Sequence, residues 1–381
     1  MNAARARSLF DRAVRIAARG HGGVEPNPMV GCVIAKADGE VIAEGFHRTC
    51  GGPHAEVEAL RAAGTRARGA TALVTLEPCA HQGRTGPCAD ALIAAGIARV
   101  LYAVADPNPL AGGGAARLAA RGVQTERFAH PGAEELARPF IKRVTTGLPW
   151  VSAKWAQSID GAVALANAQS KWLSGARSRG MVHRERGRVD AILTGIGTVL
   201  EDDPMLTPRG VRVLRAPRRI IFDPEARTPL EARVCSRSSA DSVAETIVLV
   251  SAERDGAAQR RLERLRAHGV EAIDLGPNET LRPALVELGA RGVATVLVEA
   301  GGGLIGRLLQ ERLLDEAWVF VAPLLIGDDL ALRCARGVDW NAATRSSDGP
   351  TSSGTELSAI PRARLLGVRR RGDDTLLHFR Y

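Results

Sequence analysis

Residues 75–88, TLEPCAHQGRTGPC, decide how the first part of this sequence is interpreted. They close the apolar run ATALVTL, which predicts a buried strand, and they end where CADALIAAGI predicts a helix. Cys79 follows the strand, Cys88 opens the helix, and the two cysteines enclose residues 80–87. In α/β folds such strand ends and helix starts meet at one edge of the sheet, so the two thiols are expected to lie close together.

A histidine and a glutamate precede these cysteines in GGPHAEVEAL, residues 51–60. On one interpretation Pro53 is the first residue of a helix, and Glu56 is a solvated charge in the first turn that complements the helix dipole. On the other, His54, Cys79 and Cys88 occupy three of the four positions around one tetrahedral zinc ion and leave the fourth for water.

The zinc interpretation also accounts for Glu56 as a catalytic residue. Zinc lowers the pKa of bound water from about 16 to about 7, and a carboxylate beside the metal can carry protons from that water to a departing amine. His-x-Glu followed by Pro-Cys and a further Cys is the signature of zinc nucleobase deaminases. Members that act on nucleic acids hold Cys-x-x-Cys, so the longer spacing between Cys79 and Cys88 is a departure from them.

The role of Cys50 is left open by the sequence. It lies four residues before His54 and ranks below Cys88 as a metal ligand. If it did bind, the site would have four protein ligands and no water position, as in a structural zinc module tethered to a nucleotide-binding regulator. The remaining cysteines are expected to be inert thiols, and they are Cys32, Cys235 and Cys334.

The composition indicates a globular protein of two or three domains, since 381 residues with 45% hydrophobic side chains exceed one ordinary core. No uncharged apolar run reaches the roughly 18 residues of a membrane-spanning helix, so no membrane partner is expected. Residues 1–20 are Arg-rich and amphipathic like a transit peptide, but Asp11 and the helical spacing of the apolar positions favour a first folded helix. Cysteine is too sparse for a disulfide framework, which favours a reducing, cytoplasmic location.

The net charge of +9 raises the question of a nucleic-acid partner. Arginine is spread through every segment alongside 42 acidic residues, and only four of the 51 basic residues are lysine, so no basic patch is indicated. Aromatic residues make up 4% of the chain, too few for stacking platforms along a strand of bases. A nucleic-acid adenosine or cytidine deaminase is therefore disfavoured, and a small phosphorylated substrate is expected. Homo-oligomerisation is left open.

Strands and helices alternate along the chain, which predicts two α/β domains. Residues 24–46 are typical of a hairpin with an Asp-Gly turn, and the alternation then continues as far as residue 123. The pattern is lost between residues 130 and 150, where we place the boundary between domains 1–146 and 147–381. A second series of strands and helices follows, and residues 336–360 are polar and loop-like.

Two segments of the second half carry residues suited to a nucleotide. TVLVEAGGGLIGRLLQ is a strand, a glycine turn and a helix, and its glycines 301, 303 and 306 satisfy Gly-x-Gly-x-x-Gly. The turn comes too late in the chain for a Rossmann domain, so a phosphate cradle in another fold and a tight strand-to-helix connection both stay open. GIGTVLEDDPMLTPR carries the paired acids Asp202 and Asp203, which could either bind ribose hydroxyls or cap a helix. It also carries Arg209, which could either bind a phosphate or lie solvated in a loop.

The strand TIVLV bears on the choice of cofactor. No acidic residue closes it, where a carboxylate would grip a ribose hydroxyl and repel a 2′-phosphate. Ser251 and Arg254 follow instead, which favours a dinucleotide with a 2′-phosphate over one without it.

Taken in order, these motifs resemble the bifunctional deaminase/reductase family of bacterial riboflavin biosynthesis along nearly the whole chain. The motifs are PNPMVGCVI, HAEVEAL, TLEPCAHQGRTGPCADALI, ADPNP, AQSIDGAVA, SKWLSG, GIGTVLEDDPMLTPR and VEAGG. The resemblance implies a cytidine-deaminase-like three-layer α/β/α domain followed by a dihydrofolate-reductase-like α/β domain. It implies zinc-dependent deamination of 2,5-diamino-6-ribosylamino-4(3H)-pyrimidinone 5′-phosphate, then NADPH-dependent reduction of the ribosyl group to ribityl, which yields 5-amino-6-ribitylamino-uracil 5′-phosphate.

The resemblance also implies which residues bind each group. Zinc is held by His54, Cys79 and Cys88, with Glu56 as the proton carrier. The implied NADPH contacts are Ala156, Trp172, Thr198, Asp202, Gly301, Gly302, Gly303, Leu304, Ile305, Gly306 and Arg307. The implied substrate contacts are Ser170, Arg186, Leu206, Arg209 and Glu299 in the second domain, and Asn27, Asp106 and Asn108 in the first. Ala162 departs from the family, which usually has a basic residue there, so the loop contacts are the part left in doubt.

Overall fold

The computed structural model describes residues 1–82, 86–109, 111–236, 245–339 and 360–381. The chain divides into two compact units, a first unit of Met1–Leu148 with Gly292–Ala294 and a second unit of Pro149–Arg291 with Thr295–Tyr381. Most of the segment 336–360, which the sequence predicts to be loop-like, lies outside the described residues. Within the part that is described, no helix has the length and apolar character needed to cross a bilayer.

The first unit is built on a sheet that has five strands among the described residues, in the order β2-β1-β3-β4-β5. β1 is antiparallel to both β2 and β3, whereas β3, β4 and β5 are parallel. The strands are β1 (Gly31–Ala35), β2 (Val41–Phe46), β3 (Thr71–Leu76), β4 (Arg99–Val104) and β5 (Gln124–Arg127). The helices are α1 (Ala3–Ala17), α2 (Ala55–Ala63), α3 (Cys88–Ala94), α4 (Gly114–Ala119) and α5 (Pro131–Thr146).

Two glycines let helices approach this sheet closely from its two faces. Cys32 pairs with Gly45 across the antiparallel ladder, so side chains at these two positions lie on the same face of the sheet. A side chain at Gly31, the residue before Cys32, would lie on the opposite face. A Cβ on Gly31 would lie 2.2 Å from the carbonyl oxygen of Ala13 in α1, and a Cβ on Gly45 would lie 2.4 Å from the amide nitrogen of Ala59 in α2. The two helices therefore cover opposite faces, which makes the first unit a three-layer α/β/α structure.

The second unit contains a sheet with nine strands among the described residues, in the order β11-β10-β9-β8-β12-β6-β13-β16-β15. Seven neighbouring strands of this sheet run parallel to one another, and they are β11, β10, β9, β8, β12, β6 and β13. β16 and β15 add an antiparallel edge beside β13. The strands of this unit are β6 (Trp150–Gln157), β7 (Ala162–Ala164), β8 (Ala191–Gly195), β9 (Arg218–Phe222), β10 (Thr246–Val250), β11 (Glu271–Asp274), β12 (Thr295–Val298), β13 (Glu316–Val321), β14 (Leu332–Arg333), β15 (Arg364–Arg371) and β16 (Asp374–Arg380). β7 and β14 form a separate pair.

The helices of the second unit follow its parallel strands. They are α6 (Ala176–Arg186), α7 (Ile196–Asp202), α8 (Gly256–Ala267), α9 (Arg282–Ala290) and α10 (Gly302–Gln310). Because parallel strands direct their carboxyl ends to the same edge, the residues after β6, β8 and β12 are brought together there.

Several elements differ from the sequence-based expectation. The prediction of a helix that begins at Pro53 is wrong, because α2 begins at Ala55 and His54 has the extended backbone of a helix cap. The region where the alternating pattern is lost contains α5, a helix of 16 residues. His130 caps the start of this helix, because its Nδ1 accepts a hydrogen bond from the amide of Ala133. The short strand β5 was not predicted because its sequence, QTER, is polar and mostly exposed, and only pairing with β4 keeps it extended. The sequence also failed to predict β7, α7, β11, β14, β15 and β16.

Candidate active sites

The predicted metal ligands of the first unit lie together. Nδ1 of His54 and the sulfurs of Cys79 and Cys88 are all within 4.8 Å of one another. Nδ1 is 3.2 Å from Sγ of Cys88 and 3.6 Å from Sγ of Cys79. A tetrahedral zinc ion with bonds of roughly 2.0 to 2.3 Å separates its ligands by roughly 3.5 Å, so the donor atoms and their spacing fit zinc.

Local structure explains why these three side chains meet. His54 lies where α2 begins, Cys79 follows β3, and Cys88 is the first residue of α3. The amide of Cys88 donates a hydrogen bond of 3.3 Å to Sγ of Cys79, which holds the cysteine that follows the strand against the start of the helix. The expectation that the strand end and the helix start converge at one edge is confirmed.

The protonation of the cluster favours metal binding. The hydrogen bond from the Cys88 thiol lowers the pKa of Cys79 to about 4, and the same hydrogen bond raises the pKa of Cys88. Cys79 is therefore the thiol of this pair that ionises more readily, and the thiolate is the form of cysteine that binds a metal. The hydrogen bond between His54 and Cys79 also raises the pKa of His54. A cation between these groups would displace the shared protons, as is usual for a thiolate and imidazole site.

Glu56 is buried beside this cluster, with 3% of its surface exposed. The alternative of a solvated charge at a helix start is therefore wrong for this residue. Burial raises its pKa to about 7, although the charge of His54 acts in the opposite direction. A carboxyl group with that pKa can both accept and donate a proton near neutral pH, which is what general acid–base catalysis requires.

Cys50 does not belong to the metal-ligating group found among the described residues. It is exposed, and its amide donates a hydrogen bond of 2.9 Å to the carbonyl of Gly23. The described ligands are therefore three in number, which leaves a coordination position for water, as in catalytic zinc sites.

Asn27 is connected to the cluster through a histidine that the sequence analysis missed. Nδ1 of His47 lies 2.9 Å from the carbonyl oxygen of Pro53, so Nδ1 carries a proton and Nε2 accepts in the neutral ring. Nδ2 of Asn27 is 3.2 Å from that Nε2 and donates to it. The ring of His47 meets the ring of His54 edge-on, with centroids 5.3 Å apart. Its place at the end of β2, just before the Gly-Gly-Pro turn, is the signal that could have identified it.

Asp106 and Asn108 follow β4 and form a tight turn. Oδ1 of Asp106 accepts a hydrogen bond of 2.9 Å from the amide of Asn108. Burial raises the pKa of Asp106, and the negative charges of Glu77 and Cys79 act in the same direction. The amide of Asp106 also donates a hydrogen bond of 3.3 Å to Oε2 of Glu77, two residues before Cys79, so this turn lies beside the strand end that carries Cys79.

The candidate residues of the second unit are anchored at the carboxyl ends of its parallel strands. Glu299 follows β12, Thr198 and Asp202 lie in α7 after β8, and Ala156 lies near the end of β6. Oγ1 of Thr194 in β8 donates a hydrogen bond of 2.7 Å to the carbonyl of Glu299, which joins two of these strand ends.

An ion pair lies at the centre of the predicted substrate contacts. Arg186 donates from Nε to Oε1 of Glu299 at 2.5 Å and from Nη2 to Oε2 at 2.9 Å. Its Nη1 also donates to the carbonyl of Thr207 at 3.2 Å. Leu206, beside Thr207, has a φ of 50° and is 3% exposed, so its side chain is buried next to this pair. Arg209 is exposed at the same loop.

The predicted cofactor contacts form a second group in this unit. Nζ of Lys171 is 2.8 Å from Oδ1 of Asp202, and the guanidinium of Arg179 lies 4.7 Å from the ring centroid of Trp172. The Trp172 ring is nevertheless 70% exposed, which leaves an aromatic face available. Ser170 is partly buried in the same segment.

The glycine turn precedes and opens α10. A Cβ would meet no atom within 4 Å at Gly301 or at Gly303, and both residues are exposed, so there is open space beside this helix start. Leu304, Ile305 and Gly306 are buried, and a Cβ on Gly306 would lie 2.1 Å from the carbonyl oxygen of Arg336. The turn thus combines an open helix start with the tight packing that the alternative interpretation expected.

Arg307 and Arg254 are already engaged by protein groups. Arg307 donates to the carbonyls of Asn278 and Glu279 at 3.1 and 2.7 Å, and its guanidinium lies over the ring of Phe222. Arg254 pairs with Asp274 at 2.5 Å.

Three residues near the predicted substrate and cofactor contacts were not identified from the sequence. Nζ of Lys154 is 3.8 Å from Oε2 of Glu299, and Lys171 pairs with Asp202. Burial and the charges of Arg186 and Arg209 lower the pKa of His183, which lies three residues before Arg186 in α6. Lysine is rare in this Arg-rich chain, and two of its few lysines lie here, which is a signal that the sequence contained.

Comparison with known proteins identifies the family to which each of the two units is similar. Residues 4–104 match the cytidine and deoxycytidylate deaminase zinc-binding region, and residues 149–376 match the RibD C-terminal domain. The riboflavin biosynthesis protein RibD of Escherichia coli is 39% identical over 96% of this chain and 97% of its own length. The protein of the same name from Aquifex aeolicus is 39% identical over 84% of this chain and 87% of its own.

Solved structures show the same relationship. Acinetobacter baumannii RibD, form 1, has a TM-score of 0.83 at 35% identity and covers 100% of this chain and 99% of its own. A diaminohydroxyphosphoribosylaminopyrimidine deaminase/5-amino-6-(5-phosphoribosylamino)uracil reductase from Thermotoga maritima has a TM-score of 0.82 at 32% identity, with 99% of each chain covered.

A zinc-binding deaminase region followed by a reductase domain defines the class of protein to which this fold and these sites correspond. The chain belongs to the RibD family of riboflavin biosynthesis, whose members join a deaminase to a reductase. The predicted fold class, a cytidine-deaminase-like α/β/α domain followed by a dihydrofolate-reductase-like α/β domain, is confirmed.

Proposed function

We propose that this chain catalyses two successive reactions on a pyrimidine phosphate. The first is the hydrolytic deamination of 2,5-diamino-6-ribosylamino-4(3H)-pyrimidinone 5′-phosphate with one zinc ion per chain. The second is the NADPH-dependent reduction of the ribosyl group, which gives 5-amino-6-ribitylamino-uracil 5′-phosphate. The observation that carries the proposal is the cluster of His54, Cys79 and Cys88 beside the buried carboxyl of Glu56.

In the deamination, His54, Cys79 and Cys88 would hold the metal through one nitrogen and two sulfurs. When bound, zinc supplies a water molecule that is acidic enough to react near neutral pH. Glu56 accepts the proton of the attacking water and passes it to the departing nitrogen, which leaves as ammonia. Its pKa of about 7 suits both steps, because the group is neither fully ionised nor fully protonated at that pH.

Substrate binding in the first unit is assigned to Asn27, Asp106 and Asn108. The hydrogen bond from Asn27 to His47 fixes which end of its amide is free to contact a ring. Asp106 and Asn108 offer polar groups in a turn whose backbone is itself held by hydrogen bonds.

When bound, NADPH would supply the hydride that reduces the first carbon of the sugar in the ring-opened imine form of the substrate. Glu299, flanked by Arg186 and Lys154, would orient the sugar and compensate charge at the reacting nitrogen. The open helix start at Gly301 and Gly303 suits a phosphate of the cofactor. The exposed face of Trp172 and the carboxylate of Asp202 are the assigned contacts to its other groups.

A preference for NADPH over NADH is part of the proposal. Arg254 is the cation that follows β10, and its pairing with Asp274 means that a 2′-phosphate would have to compete with that carboxylate. We expect a higher kcat/KM with NADPH than with NADH, and comparison of kcat/KM for the two cofactors tests this preference. Equal values would remove this part of the proposal.

A reducing compartment such as the cytoplasm would suit the chemistry, because the thiols of Cys79 and Cys88 must stay unoxidised to bind a metal.

The decisive experiment is the substitution Glu56→Gln, which keeps the shape of the side chain and removes its proton-carrying capacity. We expect zinc content to be unchanged and ammonia release to fall by roughly 100-fold or more, in line with the loss of a general acid–base group. Glu58→Gln is the matched control, since Glu58 lies in the same helix turn and pairs with Arg48 and Arg61 at the surface. Wild-type ammonia release by the Glu56 variant would refute the mechanism.

A further inference from the structure

We propose that Glu77 is a positioning residue of the deaminase site, which fixes the turn of Asp106 and Asn108 relative to the strand end that carries Cys79. This inference rests on the proposed deaminase function. Glu77 lies between β3 and Cys79 and is not a member of the metal-ligating group.

The carboxylate of Glu77 is bound by three backbone amides. Oε2 accepts a hydrogen bond of 3.3 Å from the amide of Asp106. Oε1 accepts hydrogen bonds of 3.2 and 3.0 Å from the amides of Gly113 and Ala115. The amide of Glu77 itself donates to the carbonyl of Val104, at the end of β4, at 2.8 Å. One side chain thus ties the end of β3 to both sides of the connection between β4 and α4.

The backbone around Cys79 contacts the same connection. A Cβ on Gly114 would lie 1.7 Å from the carbonyl oxygen of Pro78, so α4 begins in direct contact with the residue before Cys79. The amide of Ala80, on the other side of Cys79, donates a hydrogen bond of 3.0 Å to the carbonyl of Ala111. The backbone on both sides of Cys79 is therefore held by contacts that do not involve the Glu77 side chain, so the metal ligand should keep its place when that side chain is changed.

A chain of hydrogen bonds leads from Glu77 to the predicted substrate contacts. Glu77 holds the amide of Asp106, and Oδ1 of Asp106 holds the amide of Asn108 at 2.9 Å. Without the carboxylate, the backbone of Asp106 would lose the partner that links it to β3. The turn would then sample orientations in which Asn108 no longer meets the substrate.

A carboxylate is the side chain suited to this position because both of its oxygens accept and neither donates. Glutamine has nearly the same shape but presents an NH₂ group in place of one oxygen. Whichever way its amide is turned, that group faces a backbone N–H donor, so at least one of the three hydrogen bonds is replaced by a repulsive contact. Glu77→Gln is therefore the sharpest test.

The variant is compared with wild type as full-length, zinc-loaded protein. We expect unchanged zinc content and a KM for the diamino substrate raised roughly tenfold, the effect of losing a hydrogen bond to a charged group, with kcat little changed. Hydrogen exchange at the amides of Asp106, Gly113 and Ala115 should become faster. Reduction of the deaminated intermediate should not change. Glu126→Gln is the matched control, because Glu126 is an exposed carboxylate of the first unit that pairs with Arg99.

A double-mutant cycle with Asn108→Ala tests the route of the effect. If Glu77 acts through Asn108, then Glu77→Gln should raise KM little further in the Asn108→Ala background, whereas independent effects would multiply. The proposal would be overturned if the two substitutions raised KM by factors that multiply in the double variant. It would also be overturned if Glu77→Gln lost zinc or showed unchanged hydrogen exchange. If Glu77→Gln does not fold, Glu77→Asp, which keeps the charge on a shorter side chain, is measured in its place with the same expected directions.

The two proposals fail in distinguishable ways. Absence of ammonia release by the wild-type protein would remove the deaminase function and, with it, the positioning role. Normal wild-type deamination with a Glu77→Gln variant that matches wild type in KM and hydrogen exchange would remove the positioning role alone.

Discussion

Arg186 and Glu299 form a two-pronged ion pair in which each carboxylate oxygen accepts one guanidinium N–H, at 2.5 and 2.9 Å. Both side chains are largely shielded from solvent, with 14% and 10% of their surfaces exposed. Arg186 closes α6 and Glu299 follows β12, so the pair joins a helix to a strand end where the substrate is expected to bind. The planar geometry is specific to arginine, since lysine offers a single point of charge.

The substitution Arg186→Lys should therefore impair the reductase reaction. We expect kcat/KM for the deaminated intermediate with NADPH to fall by roughly tenfold or more, because the bidentate contact and the bond to Thr207 are lost. Arg184→Lys is the control, since Arg184 is exposed on the same helix. Ammonia release from the diamino substrate should stay at the wild-type rate in both variants, and a parallel loss of that activity would argue against this assignment.

The same pair should make stability depend on pH. Burial opposes ionisation of Glu299, but the hydrogen bonds and charge of Arg186, together with Lys154, lower its pKa below the usual value. Because the pKa is lower in the folded than in the unfolded chain, the ionised carboxylate stabilises the fold above the ordinary glutamate pKa of about 4.3, and this contribution is lost as pH falls through the folded pKa.

Denaturant unfolding of wild type and Glu299→Gln measures this effect. The difference in free energy of unfolding should be about 3 kcal/mol near neutral pH, as for a buried pair that loses one partner. It should stay constant down to about pH 5 and decrease below that. A difference that grew on acidification would contradict the direction of the pKa shift.

Zinc analysis of two cysteine variants should separate a catalytic from a structural metal site. Cys88→Ser should lose zinc and ammonia release, because Sγ of Cys88 lies in the ligand group, whereas Cys50→Ser should keep one zinc per chain because Cys50 lies outside it. Removal of zinc by a chelator should abolish ammonia release and leave reduction of the deaminated intermediate intact. Loss of zinc from the Cys50 variant would indicate a fourth protein ligand.

Two glycines of α10 offer a matched test of packing. A methyl group on Gly306 would lie 2.1 Å from the carbonyl oxygen of Arg336, whereas one on Gly303 would meet no atom within 4 Å. We expect Gly306→Ala to lower the free energy of unfolding by about 1 to 3 kcal/mol, the usual cost of overpacking. Gly303→Ala should be neutral or stabilising by up to about 1 kcal/mol through helix propensity. Equal stability of the two variants, measured by urea unfolding, would be inconsistent with this packing.

The proposed domains, 1–146 and 147–381, should function separately. The cut falls where α5 ends and Gly147 takes a φ of 74°, before β6 begins at Trp150. A fragment that starts at Gly147 should reduce the deaminated intermediate with NADPH and fail on the diamino substrate. The complementary fragment should bind zinc and release ammonia without consuming NADPH. A folded C-terminal fragment, verified by circular dichroism, without reductase activity would refute this division.

Local patterns were sufficient to select the three residues that the structure brings together as a possible metal site. His54 and Glu56 open one helix, Cys79 ends a strand and Cys88 opens another helix, and each of these positions is recognisable from neighbouring residues alone. Convergence of strand ends and helix starts at one edge is a general property of α/β sheets, so the meeting of these ligands could be predicted. The strand, glycine turn and helix around Gly301 were predicted from local signals of the same kind, while the role of the turn was left open.

Long-range packing decided what the sequence could not. The exposure of Cys50, the burial of Glu56 and the pairing of Lys154 with Glu299 depend on elements far apart in the chain. The sequence by itself determined which residue types end each strand and open each helix, because those signals are local. Only the tertiary structure determined that Glu77 binds the amides of Asp106, Gly113 and Ala115, since such contacts follow from sheet register and helix packing rather than from any neighbouring residue.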